Sequence, residues 1–421
     1  MTVCTDVFAP LGKLEARQLG RSDLSIVVVA HPIGNLPTAD VEAVGVAASD
    51  AVATAFVSAI DVPDDEPSRI TVAPPAARVA APTDADAFYD FAESRGWSDG
   101  LPLLLPTGQR VARALDYLER EPSEVIGIIP PRRAVATVEI VVANAVAAGC
   151  RPEHIPVVLA AVEGLCRPGY NLYGIQATTG SAAPMTVVFG PIAAQLGVHA
   201  GSGCLGPSVR ANATIGRAIR MVMWNVGGGR PGVLDRATHG QPGKYGMCIS
   251  ENLAESPWPS LHVERGFAPD ANVVLVHTIM GTEDLIDYSS TNADDLLTML
   301  SSGLGGMAVN HVLYGGYSML LLCPEHAQML ADAGWTRAAV QRHFVERLHV
   351  TCAEFPLESQ ETLERKRPRH FAEGSPATIP VFDTPDHLTI VVAGGAGPHS
   401  VFLPGYGDLT DPQMVAVTTP S

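Results

Sequence analysis

The stretch HAGSGCLGPSVRANATIGRA, residues 199–218, sets Cys204 among glycines ahead of an expected helix. A cysteine there would face backbone N–H groups and the positive helix end, which stabilise a thiolate, and Arg210 would add charge. Gly203 and its neighbours would let backbone approach a ligand closely. The turn therefore reads as a reactive thiol, or as a cradle in which Asn212 and Arg210 hold an oxyanion or phosphate. The bland alternative is a tight turn around an inert cysteine. No Gly-Lys-Ser/Thr follows, so this is not a nucleotide phosphate loop.

A second dense segment runs from Ala237 to Phe267 and holds His239, Lys244, Tyr245, Cys248, Glu251 and His262. Glu251 is a candidate general acid or base, Lys244 an anion clamp and Tyr245 a neighbouring contact. Cys248, His239 and His262 are the weak metal candidates, since their spacing matches no common ligand pattern. Between Tyr170 and Pro184, Gln176 and Thr178 are candidate contacts to a polar small molecule, with turn chemistry as the alternative. VVAGGAGPHSVFLPGYG, residues 391–407, is a strand running into a glycine-rich turn. There His399 is a candidate proton carrier and Ser400 a binding group, because ligands gather at the carboxyl ends of strands in α/β sheets. PPRRAV places Arg132 and Arg133 before a helix as a carboxylate or phosphate clamp. His31 ends the strand LSIVVVAHP. No cofactor is evident, because no dinucleotide fingerprint or Walker A sequence occurs in full form.

Strand and helix patterns must position these loops. The first sixty residues alternate TVCTDVF, LGKLEARQLG, LSIVVVAHP and a long helix starting near Thr38 or Asp40. This β-α-β-α order implies a parallel pair, and the unbroken apolar run suggests a strand buried on both faces. Two strands are too few to stand alone, so the module reads as incomplete. A Pro/Ala-rich linker spans 61–84, and a larger α/β domain follows over 85–421. Apolar strands such as PMTVVFG, NVVLVHTI, YSMLLLC and LTIVVAGG alternate in it with helices. GCRPEHIPVVLAAVEGL and LCPEHAQMLADAGW echo each other and suggest an internal duplication.

The chain of 421 residues carries 27 basic and 44 acidic residues, a net charge of −17, which argues against a nucleic-acid partner. Seven scattered cysteines with no CxxC pair suggest a reducing, cytoplasmic setting. Neither a signal peptide nor a membrane span is expected. Alanine-rich, lysine-poor usage suggests a bacterial, GC-rich source.

The N-terminal stretch, through VCTDVF and VVAHPIG over residues 2–58, resembles the UGSC-motif family of thiol or selenol proteins. GWSDGLPLL, GSGCLGPSVRANATIGRA, GQPGKY and AGGAGPHS resemble the domain often joined to that module. The family's (Sec/Cys)-Gly-Ser-Cys turn is not among these residues. The resemblance implies that a small partner chain, or a segment upstream of an unread selenocysteine codon, supplies the nucleophile. The expected function is an enzyme, an oxidoreductase or lyase, acting on a small polar anion by thiol redox or C–X cleavage within a hetero-oligomer. Cys204 would be the local thiol, and Glu251 and His399 the proton carriers. Arg210, Lys244 and Arg132 would hold the anion. The alternatives are a metal-assisted lyase or hydrolase using Cys248, His239, His262 and Glu251, and a non-catalytic partner subunit. A homodimer core is the base-rate expectation.

Overall fold

The computed structural model describes residues 1–18, 21–34, 36–57, 76–207, 209–407 and 410–420. The expected linker falls outside these residues up to position 75. The chain is α/β. In the N-terminal module β1 (Thr2–Thr5), α1 (Ala9–Gln18), β2 (Ile26–Val29) and α2 (Thr38–Val57) follow one another. The two strands pair in parallel, with Thr2 opposite Ile26 and Thr5 opposite Val29. Burial of β2 on both faces is not met: its residues are half-buried or exposed, because a two-stranded sheet has too little surface to cover them. The long apolar α2 buries only Ala55, while Val46, Phe56 and Val57 are exposed.

The larger domain opens with α3 (Ala85–Ser94), α4 (Gly108–Leu118), the hairpin β3 (Val125–Ile129) and β4 (Ala134–Thr137), then α5 (Val138–Ala148), α6 (Ile155–Leu165) and α7 (Leu172–Ala177). Next come β5 (Ala183–Phe189), α8 (Pro191–Leu196), α9 (Arg210–Asn225), β6 (Met247–Ser250), α10 (Leu261–Glu264) and β7 (Val273–Ile279). A second run follows: β8 (Glu283–Ile286), α11 (Ala293–Leu304), α12 (Asn310–Tyr314), β9 (Ser318–Leu322), α13 (Pro324–Asp332) and α14 (Arg337–Arg347). The described chain closes with β10 (His349–Thr351), α15 (Leu357–Lys366), β11 (Thr378–Pro380), β12 (Leu388–Val392), β13 (His399–Leu403) and β14 (Gln413–Ala416).

Two four-stranded mixed sheets result, ordered β6-β5-β7-β14 and β12-β9-β13-β8. In each, the second strand pairs in parallel with one neighbour and antiparallel with the other. The last strands are exchanged. β8 follows β7 but pairs with β13, and β14 follows β13 but pairs with β7. Strand alternation sorts the side chains into layers. Met185, Val187 and Phe189 meet Met319, Leu321 and Leu403 between the sheets. Val188, Val274 and Val276 face α5, α6 and α9, whereas Leu320, Leu322 and Phe402 face α11, α13 and α14. The domain is a helix–sheet–sheet–helix stack with interlocked halves.

The repeat differs from the sequence echo. Position in the topology equates α8 with α13, each directly following the second strand of its sheet order. Pro191, Ala194 and Gln195 then correspond to Pro324, Ala327 and Gln328. The echo at Pro152 precedes α6, on the other side of β5, so it pairs elements with different places in the fold.

Candidate functional site

The N-terminal module meets the larger domain through α1. Leu11 is buried with Ala177 and Leu234, and Phe8 and Leu14 pack against the same cluster. Phe8 also lies 5.9 Å from the ring of His31. His31 sits just past β2, where its Nδ1 is 3.1 Å from the Thr5 hydroxyl and its backbone N–H donates to Asp6 at 3.2 Å. Carboxyl ends of adjacent parallel strands are where α/β folds place ligands, and Thr5, Asp6 and His31 occupy that position here.

Ala177 and Leu234 of that cluster adjoin, through Gln176 and the Arg230 carbonyl that accepts from Leu234 N, a patch built on the GGGRPG segment, residues 227–232. Arg132 crosses Gly228 so closely that an added Cβ would sit 2.6 Å from its Nε. Gln176 fills the space beside Gly227 and Gly229, and its amide donates to the Pro130 carbonyl. Arg132 is held below the usual guanidinium range first by burial and then by Arg230. Neither arginine has a carboxylate partner among the described residues. Arg230 Nε and Gln176 Oε1 are buried without a hydrogen-bond partner. Thr178 ends α7, where its hydroxyl accepts from Gly180 at 2.9 Å. Lys244 pairs with Asp235 at 2.6 Å, and Asp235 in turn donates its backbone N–H to the Arg230 carbonyl at 3.1 Å. Burial lowers the Lys244 ammonium against the pull of Asp235. Lys244 is thus a structural cation on the 230–244 loop rather than a free clamp. Tyr245 next to it is exposed, as is His239.

Cys204 lies elsewhere, where the two halves meet. Its thiol is buried among Met185, Ile249, Val391 and Leu403. Burial pushes it up, and the backbone amides of Gly394, Cys204 and Leu205 pull it partly back. Asn212 holds the turn: its Oδ1 accepts from His199 N at 2.8 Å, and its Nδ2 donates to the carbonyls of His199 and Cys204. Gly203 adopts a φ of +75°, and no atom lies within 4 Å of its missing Cβ. What comes close to the turn is another glycine turn, since a Cβ on Gly395 would lie 2.6 Å from that of Ser202. The helix end and Arg210 do not serve Cys204. The helix begins six residues later, and Arg210 donates to the Gly149 carbonyl at 2.9 Å, where it acts on Cys150.

Glu251 is buried and takes bonds from Arg337 at 2.8 Å, Ser260 at 2.7 Å and the Leu261 N–H at 2.9 Å. Burial raises its carboxyl despite those donors. Through these bonds Glu251 ties α14 to the loop before α10. His262, also buried, holds the Ser260 hydroxyl at 2.6 Å. His399 is exposed, between Asp284 at 3.0 Å and the Tyr288 hydroxyl at 3.1 Å. Ser400 points the other way, fully buried, with His326 Nδ1 at 2.8 Å and the Cys323 N–H at 3.1 Å. Strand alternation separates these consecutive residues onto opposite faces of β13, so Ser400 is out of reach of a ligand. Cys248 is buried in β6 and pushed well above the usual thiol range. Among the described residues no group of three His, Cys, Asp or Glu side chains is placed to hold a metal ion.

Of the expected residues, Arg132, Gln176, Thr178 and Lys244 converge on the 227–244 region. Cys204, Gly203 and Asn212 form the inter-half turn, and Glu251, His399, Ser400 and Cys248 lie apart. Sequence reasoning passed over Arg230, although the Gly-Gly-Gly-Arg run was a visible signal of close backbone packing.

The UGSC family model matches residues 1–58. No curated protein and no solved structure matches the chain. No helix among the described residues is long and apolar enough to cross a membrane.

Proposed function

We propose that this chain is one subunit of a two-chain enzyme acting on a small anion, with a partner chain that carries a Cys/Sec-Gly-Ser-Cys turn. The supporting observation is the module junction. An unclosed parallel pair presents Thr5, Asp6 and His31 at its strand ends, and α1 seats it beside the Arg132–Arg230 pair. A further βα unit added to β1–β2 would cover Val3, Val28 and α2 and bring its own nucleophile to His31. The chain's own thiols favour an external nucleophile. Cys4, Cys150, Cys166, Cys204, Cys248, Cys323 and Cys352 are all pushed up by burial, whereas a reactive thiol is held low.

In the proposed reaction the partner's thiolate or selenolate displaces X⁻ from a carbon held by Arg132 and Arg230. The second cysteine of the turn then attacks the bonded sulfur or selenium. This releases the carbon with a proton and leaves a disulfide or selenosulfide that an external dithiol reduces. His31 would carry the proton.

The test is intact mass spectrometry of the complex isolated from its native source, with turnover assayed before and after removal of the small chain. A stoichiometric small chain bearing the turn, and activity lost without it, is expected. Full turnover by this chain alone would overturn the reading. A small chain that binds with no turnover by either preparation would leave a docking subunit in place of an enzyme.

A further inference from the structure

A second cationic site stands away from the module junction. Arg132 and Arg133 precede β4, whereas the site lies past the C-terminal end of α5, about 16 Å along that eleven-residue helix. A cleft of about 290 Å³ opens there between α4, the residues after α5 and the start of α9. Arg110, Arg113, Arg151 and Arg210 line it, and Glu153 is the acid among its lining residues. None of the four arginines lies within ion-pair distance of a carboxylate among the described residues. In a chain of net charge −17, four guanidiniums left unpaired around one cavity oppose the general balance.

Two of the four are pre-aimed. Arg110 donates one N–H to the Leu105 carbonyl at 2.7 Å, and Arg210 donates its Nε–H to the Gly149 carbonyl at 2.9 Å. A guanidinium has five donors, so most of each fork is free. The floor is neutral. Leu104, Ala114 and Val146 are apolar, and buried Cys150 gives its thiol to the Thr214 carbonyl at 3.3 Å. Behind it His154 is buried, with Nδ1 3.3 Å from the Thr214 hydroxyl, and is lowered to about 4 by burial, Arg210 and Arg151. Among the described residues Glu153 is thus the acid that lines the cleft, and it makes no ion pair with the four arginines.

We propose that this cleft binds a small phosphorylated molecule. A carboxylate is satisfied by one or two forks. A phosphoryl group, with about two negative charges and three acceptor oxygens, matches the converging forks of several arginines. The cleft size suits a compact metabolite rather than a polymer. The site rests on none of the module-junction observations.

Isothermal titration of the full chain with inorganic pyrophosphate, at matched ionic strength, tests it. Saturable one-to-one binding is expected. Arg113→Ala with Arg151→Ala should weaken it more than tenfold, while Arg365→Ala on α15 leaves it unchanged. Both replaced side chains are exposed, and unchanged circular dichroism and melting temperature would confirm that the double variant is folded. If that variant fails to fold, Arg113→Lys takes its place and should still weaken binding, since lysine keeps the charge but not the fork. Absence of saturable binding, or equal binding by the arginine variants, would overturn the proposal. Citrate binding with no pyrophosphate binding would overturn the phosphate assignment in favour of a polycarboxylate. Because the readout is binding alone, failure of the two-chain reading leaves it untouched, and its own failure leaves that reading untouched.

Discussion

The cleft around Arg110, Arg113, Arg151 and Arg210 and the cleft around Arg367 and Arg369 have nearly equal volumes, about 290 and 310 Å³. In the second, Asp383 stands at the centre. Both its oxygens take arginines, Arg367 on one and Arg369 on the other, and His370 reaches it at 2.6 Å. The first has arginines and no such carboxylate. One cleft carries its own anion as a fixed part of the fold, and the other leaves the position open. A cationic cluster is informative about ligands only after its internal counter-ions are counted, because a satisfied cluster is a structural brace.

The largest effect should come from breaking the brace. Arg367 has a side chain only 1% exposed, so Asp383→Asn strands a buried charge. A loss of about 3–5 kcal/mol is expected, measured as a drop in the urea midpoint at neutral pH. An unchanged midpoint would mean that Asp383 is not the counter-ion it looks to be.

The next variant makes the open cleft resemble the closed one. Leu104 lines it and is 38% exposed, so Leu104→Glu should fold normally. Its carboxylate would occupy the forks as Asp383 does, and pyrophosphate affinity should fall at least tenfold, about 1.4 kcal/mol.

Acid acts on the braced cleft more gently. His370 and His387 are both lowered to about 4, by burial and then by Arg367 and Arg369. Unfolded histidine titrates near 6.5, so between about 6.5 and 4 the unfolded state binds more protons and stability must fall with pH. The contribution is whole above pH 6.5 and is lost on acidification through pH 4. His387→Gln should flatten that slope in urea titrations run at several pH values.

The smallest expected change is at His154, beside the open cleft. Filling the cleft with pyrophosphate adds negative charge near a ring held at about 4 by burial and two arginines. Its titration, followed by NMR, should move upward on binding and stay put in the Arg113→Ala, Arg151→Ala variant.

Much of the fold was legible. Period-two and period-3.6 patterns located the apolar strands and long helices, and the β-α-β-α start implied the parallel pair that β1 and β2 form. The short strands β8 and β14 were not legible, because their partners are set by exchange between halves rather than by local pattern. The echo at Pro152 misled for the same reason: helix-start chemistry recurs wherever a helix begins. The site was read in part. Arg132 and Gln176 stood out near prolines and turns, but their partner Arg230 is about a hundred residues from Arg132 and about fifty from Gln176 in the sequence. Cys204 in its glycine turn suggested a ligand loop, yet the approaching backbone is Gly394–Gly395 of the other half.

The sequence by itself determined the class of the fold, the parallel start of the first module and the abundance of arginine-bearing loops in an acidic chain. These follow from local periodicity and composition, which each segment carries alone. Which arginines are braced and which are free was decided only by the tertiary structure. Arg367 and Asp383 come together across α15 and β11, whereas Arg110, Arg151 and Arg210 line one cleft with no carboxylate within ion-pair distance among the described residues. Charge pairing depends on distance in space, and the sequence order of α4, α5, α9 and α15 does not contain it.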